Sequence, residues 1–295
     1  MSDRRRFTIL NIAVVIVVVG NLIGGMTSLF TGQDYYFICL SVWCVSGFML
    51  AIFHGGHLLG WKNILIVCII GSLYSLFFES TAINFGWWFS QYTYTSVIPG
   101  PKIFGFDVVS VIAYGLIVYI SWAVAQAVAG QFDNKFRKGD VVLIPIIATM
   151  FTAALDYATD PIMATIGGSY IWHGRGVFFG IPFQNYVGWY IFAYAMYQSF
   201  ALILYFQARR GKLRPQPEIA GKKQFWYYPL LIFAANTIQC VFYAFIGNDK
   251  EVVNGFGQVF LANDIYKGVL IAYMGAFFAP CFMSLVRVYR AKELE

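Results

Sequence analysis

The stretch 141-VVLIPIIATMFTAALDYATDPIM-163 is long and apolar enough to cross a bilayer, yet it carries Asp156 and Asp160 near one end. About 20 predominantly apolar residues span the hydrocarbon core as a helix. Residues four apart share a helix face, so the two carboxyls would stack one turn apart. Ionisable groups at that depth are costly and mark functional positions. The rest of the chain is built the same way: 59% of its 295 residues are hydrophobic and 12% charged, against roughly 25% charged in soluble domains. Runs at about 7–30, 36–53, 62–79, 106–130, 141–158, 186–208, 225–246 and 265–288 read as eight transmembrane helices. Helices, not a barrel, are the spanning structure that suits such runs. The expected fold is an all-α integral membrane helical bundle, one polytopic domain over 1–295.

The first run follows Arg4-Arg5-Arg6 like a signal sequence, but its apolar core is long and no small-residue cleavage site follows. A retained anchor is expected. With the N-terminus inside, sixteen of the twenty Lys and Arg fall on inner segments, leaving Lys102, Arg175, Lys250 and Lys267 outside. That positive-inside bias supports an even number of spans with both termini cytoplasmic, in a plasma-membrane protein. The net charge of +6 is thereby explained without nucleic acid. The basic run 208–223 reads as a solvated loop near anionic headgroups. Five cysteines lie inside spans without metal-type spacing and read as small buried apolar residues. His54-Gly-Gly-His57 has a metal-like spacing, but His173 falls on the opposite side, so no metal site is expected.

Glu79, Asp107, Asp156, Asp160 and Asp264 all fall at the outer ends of their spans, which suggests one polar chamber near the outer leaflet. Asp107 and Asp264, at helix N-termini, also suit simple capping. The adjoining loops, 79–105 and 167–189, hold Trp87, Trp88, Tyr92, Tyr94, Tyr170, Trp172, Phe178, Phe179, Asn185 and Trp189 among many glycines. An interfacial aromatic belt accounts for part of this. Loops folded back into the protein account for the rest, because irregular backbone at membrane depth must be buried or line a cavity.

Two carboxyls one turn apart in an apolar chamber disfavour simultaneous ionisation and would titrate as a unit that retains a proton. A retained carboxylic acid can protonate an electron-rich alkene, and aromatic faces stabilise the resulting cation by about 2 kcal/mol each when desolvated. Water capture gives a tertiary alcohol; water exclusion allows cyclisation. The partner implied is a lipophilic polyene or isoprenoid delivered by membrane lipids. DxxxD could instead hold Mg²⁺ on a diphosphate, but that chemistry needs a second acidic motif and more outer basic residues. A proton-coupled transporter is the alternative of another class; its two related halves are not evident.

The pattern from Glu79 through Gly86, Phe89, Tyr92, Tyr94 and Thr95 to Gly100-Pro101 resembles the first signature of the integral-membrane carotenoid biosynthesis proteins, the bisanhydrobacterioruberin hydratase-like carotenoid hydratases. The second signature is similar at Asp156, Asp160-Pro161, Trp172, Gly176, Gly180-Ile181-Pro182, Asn185 and Gly188-Trp189, so the resemblance covers about 70–205. It implies water addition to the terminal double bonds of acyclic carotenoid ends without redox cofactor or metal, with other isoprenoid-pathway enzymes as candidate partners. The implied catalytic residues are Asp156, Asp160 and Glu79, with Asp160 slightly preferred as donor and Asn185 orienting a polar group. Trp87, Trp88, Tyr92, Tyr94, Asp107, Trp172, Phe179 and Trp189 would line the chamber and stabilise the cation. Phe106-Asp107, Trp88, Ser90 and Tyr170 depart from the family pattern. They leave the donor chemistry intact and make cyclisation of a shorter isoprenoid the alternative outcome.

Overall fold

A computed structural model describes residues 3–32, 35–246 and 249–295. Among these, seven continuous helical stretches are long and apolar enough to cross a membrane. The second, Tyr36–Phe85, has 50 residues, about 75 Å if straight against about 30 Å of hydrocarbon. It is not straight. Gly60 sits at φ 86, ψ 150, a backbone region essentially reserved for glycine. Helix α2 (Tyr36–Leu50) continues as a π-helix over Ala51–Gly60, and α3 (Trp61–Phe85) turns back from it.

Contacts with α4 (Val108–Ala129) trace the reversal. Going down α2, Gly47 meets Ile120, and His54 Nδ1 lies 2.8 Å from the Tyr119 hydroxyl. Coming back up α3, Ile64 and Tyr119 meet at Gly55, the Cys68 carbonyl lies against Gly115, and Ile83 lies against Gly105 just before α4. The long stretch is therefore two crossings, and the chain makes the eight that its hydropathy predicts. The remaining helices are α1 (Asp3–Thr31), α5 (Asp140–Asp160), α6 (Phe183–Arg209), α7 (Lys223–Tyr243), α8 (Ala262–Tyr273) and α9 (Ala279–Arg290), the last two joined by a π-turn. Since lipid is as apolar as leucine, helices associate through small residues that permit close packing. Gly71 and Gly115 do this for α3 and α4: a Cβ on Gly115 would meet the Cys68 carbonyl oxygen at 2.7 Å.

Both termini lie at one end. Asp3 Oδ1 is 3.9 Å from His57 Nε2, Asn134 Nδ2 donates to the Leu58 carbonyl at 2.7 Å, and the Lys223 amide donates to the Glu295 carbonyl at 2.9 Å. The sixteen inner basic residues sit on the segments gathered there. At the other end the structure departs from the sequence reading in two ways. First, α3 runs past Glu79 to Phe85, and α5 runs on as a π-helix over Pro161–Ile166, so neither set of acids sits at a helix terminus. Within this extension the Thr81 hydroxyl bonds the Phe77 carbonyl at 2.8 Å; α3 stops at Gly86 in the left-handed conformation. Pro161 has no N–H to donate, which coincides with the switch to π geometry immediately after Asp160.

Second, the outer loops contain short antiparallel ribbons: β1 (Tyr92–Tyr94) with β4 (Tyr170–Trp172), β2 (Lys102–Ile103) with β3 (Phe106–Asp107), and β5 (Glu251–Val253) with β6 (Val259–Leu261). The bundle remains all-α in class, a multi-pass membrane protein.

Gly60→Ala should lower stability by about 1–3 kcal/mol, read from thermal unfolding in detergent. No atom lies within 4 Å of the added Cβ, so the loss would report backbone strain. Gly139→Ala, at φ −68 and equally open, should be nearly neutral. Cysteines placed at Lys212 and Lys250 should label from opposite faces of sealed vesicles, Lys212 from the cytoplasmic face; labelling from one face would overturn the topology.

Candidate functional site

Toward the end opposite the termini, a cavity of about 190 Å³ lies among α2 to α7, beneath the β1–β4 ribbon. Three carboxyl groups enter it: Glu79 from α3, and Asp156 and Asp160 from α5. They are buried, at 7%, 3% and 8% exposure, and the surrounding chain supplies their hydrogen bonds. Glu79 accepts from Tyr92 at 2.6 Å and from Tyr114 at 3.0 Å. Asn185, in the first turn of α6, spends its amide on both aspartates, donating to Asp156 Oδ2 at 2.9 Å and Asp160 Oδ2 at 2.7 Å. Tyr170 donates a short hydrogen bond to Asp160 Oδ1. The shared Asn185 amide thus ties together two carboxyls that stand one helical turn apart on α5.

The ribbon explains how loop residues reach helix residues. Alternate residues of a strand face the same side, and the register Tyr92↔Trp172, Tyr94↔Tyr170 puts four aromatic rings on the cavity side while Thr93 and Ile171 face out exposed. Tyr92 lies 4.9 Å from Trp172 and 5.5 Å from Tyr170, centroid to centroid. Burial, and then the adjacent Glu79 carboxyl, push the Tyr92 phenol well above the ordinary tyrosine range. Burial followed by Asp160 does the same for Tyr170, so both phenols keep their protons and serve as donors.

Of the residues singled out from sequence, Glu79, Asp156, Asp160, Asn185, Tyr92, Tyr94, Trp172 and Trp189 line this one cavity. Four others do not. Trp87 is 55% exposed and packs on Phe85. Trp88 lies behind the cavity wall, 5.0 Å from Phe78. Asp107 is the N-cap of α4, accepting from the Ser110 amide at 2.8 Å, the capping role that its position also suited. Phe179 packs on Phe260 and Gly268, away from the acids. Asp264 is exposed in the first turn of α8, so three of the five outer carboxyls share a site.

Two donors escaped the sequence reading of the site. Tyr114 sits among aliphatics in α4, and the only hint was a phenol in an otherwise oily run. Tyr170 was visible as part of an aromatic loop, but its bond to Asp160 depends on the ribbon. Trp43, Phe192 and Tyr197 complete the aromatic wall. The lining residues that keep some exposure are largely small or apolar, including Leu40, Cys44, Ala113, Ile117 and Leu155, so the mouth is suited to hydrocarbon. The result is a pair of carboxyls bridged by one amide, with a third carboxyl and several aromatic side chains lining the same cavity. Among the described residues no three His, Cys, Asp or Glu side chains gather as a metal-binding group.

Asn185→Leu should cost about 1–3 kcal/mol, because it leaves carboxyl oxygens buried without their donor. Thermal unfolding in detergent would measure this, and an unchanged midpoint would show that the amide bridge carries no load.

The chain is 32% identical over 122 residues to the bisanhydrobacterioruberin hydratase of Haloarcula japonica, an alignment covering 40% of this chain and 38% of that protein. The chain thus matches well under half the length of this curated relative. No solved structure matches it. The family described as "Carotenoid biosynthesis protein" matches residues 33–255, which takes in the ribbon, all three carboxyls and Asn185, and the chain is a member of that family.

Proposed function

We propose that the protein adds water to a terminal double bond of an acyclic carotenoid or related polyene, by acid-initiated protonation without a redox cofactor. The observation that carries this reading is the unequal hydrogen bonding of the acid pair. Asp160 accepts from both Tyr170 and Asn185, whereas Asp156 accepts from Asn185 alone. Donors stabilise a carboxylate, so Asp160 is the better anion and Asp156 the better proton carrier. This reverses the slight preference for Asp160 as donor that the resemblance suggested.

In the proposed reaction Asp156 transfers its proton to the less substituted alkene carbon, and the positive charge develops on the tertiary carbon. Tyr94, Trp172 and Trp189 present ring faces to that charge. Water, held by Glu79, forms the carbon–oxygen bond and releases its extra proton to a carboxylate, which restores the pair. The product is a tertiary alcohol. A dry cavity of about 150 Å³ accepts a benzene-sized group, so about 190 Å³ suits the end of a polyene rather than its whole length. The remaining chain would leave through the apolar mouth into lipid. The relative named as a hydratase supports this chemistry for the segment it shares.

The test is product analysis from membranes supplied with lycopene-type and shorter polyprenyl substrates in ¹⁸O water. A labelled tertiary alcohol is expected. Asp156→Asn should reduce it by about 10²–10⁴-fold, the usual worth of a positioned general acid. An isomer of unchanged mass, lost in the same variant, would mean that the pair starts a cyclisation. Turnover that survives both Asp156→Asn and Asp160→Asn would sink the acid-pair mechanism.

A further inference from the structure

A second cavity, of about 390 Å³, lies on the outer side of the ribbon. Its walls are the end of α5 with the segment that follows, from Ala164 to Gly168, and the β5 strand with Lys250 through Gly255. Tyr170 and Trp172 belong to its lining and also to the lining of the acid cavity. These two residues are therefore a wall common to both cavities, and the Tyr170 hydroxyl is bonded to Asp160. The Trp172 indole N–H is buried and has no hydrogen-bond partner among the described residues. At the rim Lys250 and Glu251 are exposed, in contrast to the apolar mouth of the acid cavity.

The outer cavity is a built feature. Gln258, just before β6, donates to the Gly176 carbonyl at 3.2 Å and accepts from the Gly176 amide at 3.0 Å. Asn254 holds Gln258 in turn at 2.9 Å. The hairpin is thus clasped to the loop that carries β4. Hydration of an alkene needs two immiscible reactants at one carbon: a polyene from lipid and water from an aqueous face. Resting on the hydratase reading above, we propose that this outer cavity is the water vestibule, and that Tyr170 and Trp172 form the wall through which water passes to the acid pair.

The vestibule can be narrowed without touching the acids. Val252 lines it, is 7% exposed, and is absent from the acid cavity. In full-length protein in nanodiscs, hydroxyl-radical oxidation should mark Trp172 in the wild type. It should fall by about tenfold in Val252→Phe and persist in Val252→Ala. Assays in ¹⁸O water and in D₂O separate the two half-reactions. With protein equilibrated beforehand in D₂O, so that the acid pair already carries deuterium, a single turnover of Val252→Phe should lower ¹⁸O alcohol by about tenfold while deuterium still enters the polyene, because protonation precedes water capture. An unoxidised Trp172 in the wild type, or a Val252→Phe variant with normal ¹⁸O alcohol, would overturn the vestibule. A parallel fall of both isotopes in Val252→Phe would overturn it too, since the cavity would then support the site rather than feed it. If the wild type takes up neither isotope, the hydratase reading fails, and the footprint alone decides whether water reaches Trp172.

Discussion

Three carboxyl groups buried in a hydrocarbon-spanning bundle set the terms for everything around them. An unsatisfied buried polar group costs about 1–3 kcal/mol, and more when charged. The bundle meets that demand with Tyr92, Tyr114, Tyr170 and Asn185, which come from two loop strands and two helices. The ribbon exists where it does because two of those donors are on it. Helix α6 begins where it does with its first turn presenting the amide that bridges the aspartates. The polar demand of three residues thus organises the whole end of the molecule opposite the termini.

The same end holds two cavities of different lining. On one side the cavity lining that retains exposure is largely small, apolar or aromatic; on the other, the β5–β6 hairpin and the β4 loop enclose a space with a charged rim. Between them stands a wall of rings no thicker than Tyr170 and Trp172. A reaction between an oil-soluble alkene and water needs such a boundary, with the proton source on it. The π-helical start at Pro161 matters here because Asp160 is the last residue of regular α-helix. A proline that cannot donate frees the ladder next to a side chain that is held by Tyr170 and Asn185.

Much of this was legible in the chain. The eight runs follow from hydropathy alone, including the pair 36–53 and 62–79, but nothing in the chain marked Gly60 as the point where that pair turns back. The acid pair was legible because four-residue spacing in an apolar helix has few bland explanations. Side-chain partners were less so. Aromatic loops declared that rings would be present but could not say which face in, so Trp87 and Phe179 were indistinguishable from Tyr92 and Trp172. Strand register decides that question, and three-residue strands leave almost no alternating pattern to read. Asp107 shows the converse: an N-terminal aspartate reads equally as cap or ligand until its Ser110 partner is seen.

The separation along the chain of the groups that complete the site has a consequence for biogenesis. Glu79 and Tyr92 are 13 residues apart, so they can meet as soon as the third helix and its loop emerge. Asp156 and Asp160 wait 25 to 29 residues for Asn185. During insertion α5 therefore enters the bilayer carrying two carboxyls whose bridging donor is still in the ribosomal tunnel or the translocon. The nascent chain is best served by holding α5 at the insertase until α6 arrives, and by admitting the two as a pair.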